Sequence, residues 1–155
     1  MMTCILDQRH VKHIRYGLFS SEYNGCSWVA VYNALYLLGD ERDPEKVARH
    51  FEKYLPLGGL FGMPLPTFLK ALNDFKVVFK CVSIDSNEMK TSDACILWYR
   101  KRNMKAHYCV IRDIDITGVF AYINPTAKAQ PLGDFLRSVN AIEAEVIILR
   151  VESKK

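Results

Sequence analysis

The sequence lacks most of the features that announce a specialised class of protein. No run approaches the ~20 apolar residues that a membrane-crossing helix needs, so no membrane span is expected. The opening stretch, MMTCILDQRHVKHIR, has no apolar core long enough for a secretory signal. There is no internal repeat, no low-complexity tract and no Pro/Gly/Ser linker, which excludes solenoid, collagen-like and disordered architectures. Neither sign of charge dominates: 21 Lys and Arg against 17 Asp and Glu leave +4, too little to argue for a nucleic-acid partner. The five cysteines (Cys4, Cys26, Cys81, Cys95 and Cys109) are odd in number and form no CxxC pair. Three of them sit inside apolar runs, KCVSI, ACILW and HYCVI. That is free-thiol usage of a reducing compartment. The expected location is cytoplasmic, and delivery into another cell's cytosol would produce the same composition.

What remains is the make-up of one ordinary globular domain spanning residues 1–155, half hydrophobic and a quarter charged. A chain of this length can bury roughly 70% of its unfolded surface and needs neither disulfide nor metal staple. Residues 1–25 are poorly periodic, with a short strand expected at Cys4–Leu6 and a loop through Phe19–Gly25. The run CSWVAVYNALYLL, Cys26–Leu38, is apolar nearly all round and closes at Gly39, as a buried central helix would. Asp43-Pro44-Glu45 supplies a cap, a first-turn proline and a first-turn acid to a second helix, with Val47, Phe51 and Leu55 at helical spacing. Phe68, Leu69 and Leu72 mark a third over Thr67–Phe75. The second half changes character. Segments 76–84, 94–100, 106–116, 119–123 and 145–151 are short, β-branched and aromatic, and are expected as strands, with a short helix over Asp134–Val139. Helices first and strands afterwards predict an α+β fold with a largely antiparallel sheet.

Cys26 stands apart from the other thiols because it opens the central helix directly after Asn24-Gly25. Free backbone N–H groups and the positive end of the helix dipole favour a thiolate there and can hold an oxyanion. A nucleophilic thiol needs a proton acceptor and donor, which is the work of a histidine held in one tautomer by a third residue. His107 opens the strand AHYCVIRDI and Asn124 ends the next, VFAYINP. A hairpin turning near Thr117-Gly118 brings the two together. Cysteine, histidine and asparagine in that order form a thiol-hydrolase constellation.

The stretch NGCSWVAVYNALYLLG resembles the nucleophile helix of the papain-like cysteine peptidase superfamily, especially the peptidases that remove double-glycine leaders from bacteriocin precursors. ACILWYR, AHYCVIRDID, GVFAYINPT and LGDFL resemble that family's second half in order and spacing. The resemblance covers residues 20–150 and rests on these weak matches in register. It implies a papain-like fold with the nucleophile helix packed on an antiparallel sheet, Cys26 as nucleophile, His107 as general acid and base, and Asn124 as the orienting residue. Asn stands where the leader peptidases have Asp, as in papain. The family's oxyanion glutamine, six residues before the cysteine, is replaced by Ser20. Asn24, or Gln8 if the intervening loop folds back, is the alternative amide, with the N–H of Cys26 as the second donor.

Other residues have plainer readings. Gly58 and Gly59 supply backbone freedom beside a substrate groove; Trp28, with Tyr32 and Tyr36 at helical spacing, is core or substrate platform. Cys4, Cys81, Cys95 and Cys109 are core or strand thiols. His10, His13 and His50 are expected to be exposed; no metal or other cofactor is implied. The basic run Arg100–Lys105 leads into His107 and could favour acidic substrates. The expected reaction is cleavage of an amide bond in a peptide or protein through a thioester. The alternatives are glutamine deamidation or acyl transfer on the same triad, or a catalytically inactive peptide-binding domain of the same fold. A nucleic-acid binder ranks last, and no oligomeric state is specified.

Overall fold

In the computed structural model the residues described are 5, 8–60, 62–84, 95–103, 105–112, 119–123 and 128–150. A two-residue hairpin, β1 (Arg15–Tyr16) and β2 (Phe19–Ser20), leads into a single turn of helix, α1 (Ser21–Asn24), and then into α2 (Cys26–Leu37). Two further helices follow, α3 (Pro44–Glu52) and α4 (Leu65–Asp74), separated by a tight 3-10 turn over Pro56–Gly59. The second half supplies β3 (Val78–Val82), β4 (Cys95–Lys101), β5 (Ala106–Arg112), β6 (Val119–Ile123), β7 (Lys128–Pro131), α5 (Leu132–Ser138) and β8 (Ala141–Arg150). These strands make one sheet in the order β3-β8-β4-β5-β6-β7, with every neighbouring pair antiparallel. The expected α+β class with an antiparallel sheet is what the chain forms.

Helix α2 is apolar all round because it is covered all round. It packs on β5 and β4 on one side and on α3 on the other, and Trp28, Val29, Ala30, Val31, Ala34 and Leu35 are essentially inaccessible. Its end is set by Gly39 at φ +87°. There the Asp40 N–H reaches Leu35 O at 2.8 Å and the Gly39 N–H reaches Tyr36 O at 3.0 Å, a Schellman closure that needs a left-handed residue. Asp43 caps α3 by accepting the Glu45 N–H at 3.0 Å. Asn33, buried in mid-helix, exchanges hydrogen bonds with both main-chain groups of Ile5, at 2.7 and 2.8 Å, and so pins the N-terminal segment to the core.

Several expectations are corrected. The stretch 19–25 is not a loop: Ser20 Oγ accepts the Glu22 N–H and starts α1. Strand β7 went unrecognised, and β8 begins at Ala141 rather than 145. Its extra residues pair with the far end of β4, where Arg100 Nη2 donates to Glu143 Oε2 at 2.8 Å. Trp98 and Tyr99 lie on opposite faces of β4. Both are buried, because α5 covers the second face of the sheet and Tyr99 packs edge-on against Phe135. His50 is only half exposed: its ring lies 4.5 Å from that of Phe75, and Nε2 sits 2.9 Å from Ala71 O. The strand expected at Cys4–Leu6 falls almost wholly outside the described residues.

Candidate functional site

The site is organised by the break between α1 and α2. Gly25 joins them, and a Cβ there would meet Ser21 O at 2.6 Å and Ser21 Cβ at 2.8 Å, so only glycine lets the two helices meet. Trp28 Nε1 donates to Ser21 Oγ at 3.0 Å, tying α1 to the first turn of α2. Cys26 is thereby held at the first position of a rigid, buried helix, itself only partly buried.

Three main-chain N–H groups bear on the Cys26 thiol: its own, that of Ser27, and that of Tyr108 in β5. Each favours the thiolate. Burial outweighs them and pushes the thiol up to about 11. Around it stand Tyr16, fully buried with its hydroxyl 2.8 Å from Ser27 Oγ, and Tyr108, whose hydroxyl donates to Met63 O at 2.8 Å. Both phenols are raised above their usual range, chiefly by desolvation and further by the nearby thiol. The Cys109 thiol, in the sheet interior, is raised for the same reasons. These neighbours were not singled out from sequence, although Tyr108 directly follows His107.

His107 is half-buried on β5, one residue before the N–H that touches the thiol. Tyr108 and Val110 belong to the core beneath α2, whereas Cys109 and Ile111 belong to the core beneath α5. Alternation puts His107 on the latter face, and its ring lies 5.7 Å from that of its cross-strand partner Tyr99. His107 thus leaves β5 on the face opposite α2, while the thiol meets the strand at the main chain of the next residue. Strand β6 pairs with β5 antiparallel up to Ile123 opposite Val110. Asn124, and the turn expected near Thr117-Gly118, lie outside the described residues.

The remaining candidates are accounted for by the hydrogen bonds they make. Asn24 is buried, and its Nδ2 donates to Gly59 O at 3.0 Å and to Tyr16 O at 3.4 Å. Its donors are spent on the main chain, so the amide expected at the oxyanion is a brace for the Pro56–Gly59 turn. Ser20 Oγ is engaged with Lys12 O and the Glu22 N–H. The N-terminal segment does fold back: Gln8 Nε2 donates to Glu22 O at 2.9 Å, four residues before Cys26. Gly58 and Gly59 lie at φ +65° and +93° in the turn that Asn24 braces, with Gly59 buried. Trp28 is fully buried and belongs to the core, which removes it as a substrate platform. Cys95 and Cys109 are buried strand thiols, Cys81 is an exposed one, and Cys4 lies outside the described residues. His10 and His13 are exposed. Among the described residues no three His, Cys, Asp or Glu side chains gather as metal ligands, and no helix is long and apolar enough to cross a membrane.

This helix-on-sheet arrangement is the fold of the papain-like cysteine peptidases. In particular it matches double-glycine peptidase domains. The peptidase domain of Streptococcus ComA, a bifunctional ABC transporter of a quorum-sensing pathway, superposes with a TM-score of 0.61 at 13% identity, over 84% of this chain and 93% of that one. A double-glycine-motif protease from an AMS/PCAT transporter, crystallised with its leader peptide, gives 0.58 at 14% identity, over 90% and 91%. No protein-family model matches the sequence, and no curated protein matches it.

Proposed function

We propose that the chain is a thiol hydrolase that cleaves an amide bond in a peptide or protein. Cys26 is the nucleophile, His107 the general acid and base, and Asn124 the residue that orients the imidazole. The observation that carries this reading is the meeting of Cys26 and β5: a thiol at the first turn of a buried helix, under three N–H groups, one residue from a histidine. In this mechanism the His107 ring, set by strand alternation on the face of β5 away from α2, must turn to the thiol to take its proton as Cys26 attacks the carbonyl. The N–H groups beside the thiol then face the developing oxyanion. His107 returns the proton to the leaving amine, and water hydrolyses the thioester. The likeness to leader-cleaving domains supports a polypeptide substrate.

A second reading is favoured by one specific observation. A thiol pushed up to about 11 is almost wholly protonated near neutrality, which suits a peptide-binding domain that has kept the fold without the chemistry. Deamidation and acyl transfer use the same groups and differ in leaving group or acceptor.

The test is cleavage of a random peptide library followed by mass spectrometry, using the native protein, Cys26→Ala and His107→Ala. Products from the native protein alone are expected. Equal products from Cys26→Ala would overturn the assignment, and no product from any of the three would put the binding domain in front.

A further inference from the structure

Large apolar side chains stand exposed where the β1–β2 hairpin, α1 and the Pro56–Gly59 turn meet. Leu18 is 69% exposed, Leu57 70%, Tyr23 59% and Leu60 45%. They belong to one surface, because Leu18 is tied to Gly58 through its N–H and Tyr23 to Leu60 through its hydroxyl. Leu18 and Leu57 occupy the tips of two tight turns, set by Gly17 at φ +66° and by Leu57 itself at φ +50°, a left-handed conformation costly for a branched side chain. Side chains so exposed project from the molecule; they do not line a groove.

The main chain of these tips is satisfied from within. Gly58 O accepts the Leu18 N–H at 2.8 Å, Leu18 O accepts Arg15 Nη2 at 2.6 Å, Leu60 O accepts the Tyr23 hydroxyl at 3.1 Å, and Gly59 O accepts Asn24 Nδ2 at 3.0 Å. An extended polypeptide partner is commonly held by main-chain hydrogen bonds, and these carbonyls are already engaged. A lipid surface makes the opposite demand: backbone polar groups that enter it must be paired inside the protein.

The flank of this surface is cationic. Arg9, Lys12 and Arg15 are all exposed, and Lys53 is exposed three residues before the Pro56–Gly59 turn. Ser20 Oγ donates to Lys12 O and Arg15 donates to Leu18 O, so the basic strip is fastened to the hairpin. Glu22 on α1 is exposed, whereas Glu52 at the end of α3 is half-buried and engaged with Arg49 and the Gly17 N–H. Protruding leucines, an exposed tyrosine and neighbouring Arg and Lys make up an interfacial anchor: apolar tips enter the acyl boundary, tyrosine sits at headgroup level, and cations meet anionic headgroups.

We propose that this face docks the protein on an anionic lipid bilayer, with Leu18, Leu57 and Leu60 inserted at the acyl boundary and Arg9, Lys12 and Arg15 on the headgroups. Tyr23 lies three residues before Cys26, so the docked protein carries the first turn of α2 beside the membrane. The docking does not depend on the chemistry at Cys26, and its test reads binding alone.

The experiment is co-sedimentation of the native protein with large unilamellar vesicles, of phosphatidylcholine alone or with about one-third phosphatidylserine. Binding to the phosphatidylserine vesicles is expected to be at least tenfold tighter than to phosphatidylcholine alone, and to weaken as salt is raised. Lys12→Ala is expected to lose about fivefold, the contribution of one basic residue near an anionic surface. The double variant Leu57→Ser/Leu60→Ser is expected to lose about tenfold or more. All three altered side chains are exposed, and an unchanged melting temperature confirms the fold. No association with phosphatidylserine vesicles at low salt, equal association with the two vesicle types, or indifference to either variant would overturn the proposal. So would release from phosphatidylserine vesicles by a soluble Leu/Glu peptide or an RNA oligonucleotide at concentrations below that of the lipid, which would assign the surface to that polymer.

Discussion

The thiol of Cys26 offers a quantitative test of how its proton is removed. With the thiol at about 11, roughly one molecule in 10⁴ carries a thiolate at pH 7, against about 3% for an ordinary cysteine of pKa ~8.5. An opposite charge in contact lowers such a group by about 1–3 units, which would bring it to ~8 at the lowest. Half-ionisation at pH 6 would need about 5 units, or ~7 kcal/mol, more than one imidazolium supplies. On the proposed mechanism the resting group is therefore the thiol, and its proton is expected to move to His107 only as the carbonyl is attacked. Mass-resolved iodoacetamide labelling of the native protein checks this, with N-acetylcysteine as reference. Cys26 is expected to label more slowly than the reference at pH 6, and to gain close to tenfold per pH unit up to pH 9. His107→Ala should shift that line without changing its slope. A plateau of fast Cys26 labelling between pH 5 and 7 that vanishes in His107→Ala would refute the reasoning, because it would show a preformed thiolate–imidazolium pair.

Three further outcomes follow from the same packing. Asn24→Ala leaves the buried carbonyls of Tyr16 and Gly59 without their donor and should cost about 1–3 kcal/mol in urea unfolding; a loss below ~0.5 kcal/mol would contradict the bracing role. Gly25→Ala drives a Cβ into the Ser21 main chain and should lower the melting temperature by several degrees and slow Cys26 labelling, since the α1–α2 junction must open. The pH dependence of stability has a definite sign. A thiol raised in the folded state stabilises fully below its unfolded value of ~8.5 and loses that contribution as pH climbs towards about 11. The native protein should therefore lose more stability between pH 8.5 and 11 than Cys26→Ser, as measured by urea midpoints.

The helical half was legible because its signals are local. An apolar run closed by Gly39, and Asp43-Pro44-Glu45 as a capped start, specify their helices within a few residues, and both stand where the spacing put them. Strand edges were less legible. The start of β8 is fixed by a partner forty residues away in sequence, through the Arg100–Glu143 contact, rather than by its own alternation. The two buried rings at Trp98 and Tyr99 were unreadable for a similar reason: alternation assigns faces, but it does not say that α5 covers the second one.

By itself the sequence determined that a thiol opens a buried helix, that a histidine opens a later strand, and that the fold is α+β and antiparallel. Each of these depends on the periodicity of neighbouring residues. Only the tertiary structure decided which groups stand around the thiol and what they do to it. Tyr16, Ser27 and Tyr108 come from three elements; burial among such neighbours raises the thiol and outweighs the main-chain N–H groups of Cys26, Ser27 and Tyr108, which lower it. The structure likewise spent the Asn24 amide on two carbonyls, and left Leu18, Tyr23, Leu57 and Leu60 together on the outside. Desolvation and hydrogen-bond satisfaction are sums over everything within a few ångströms, and that sum is set by packing rather than by spacing along the chain.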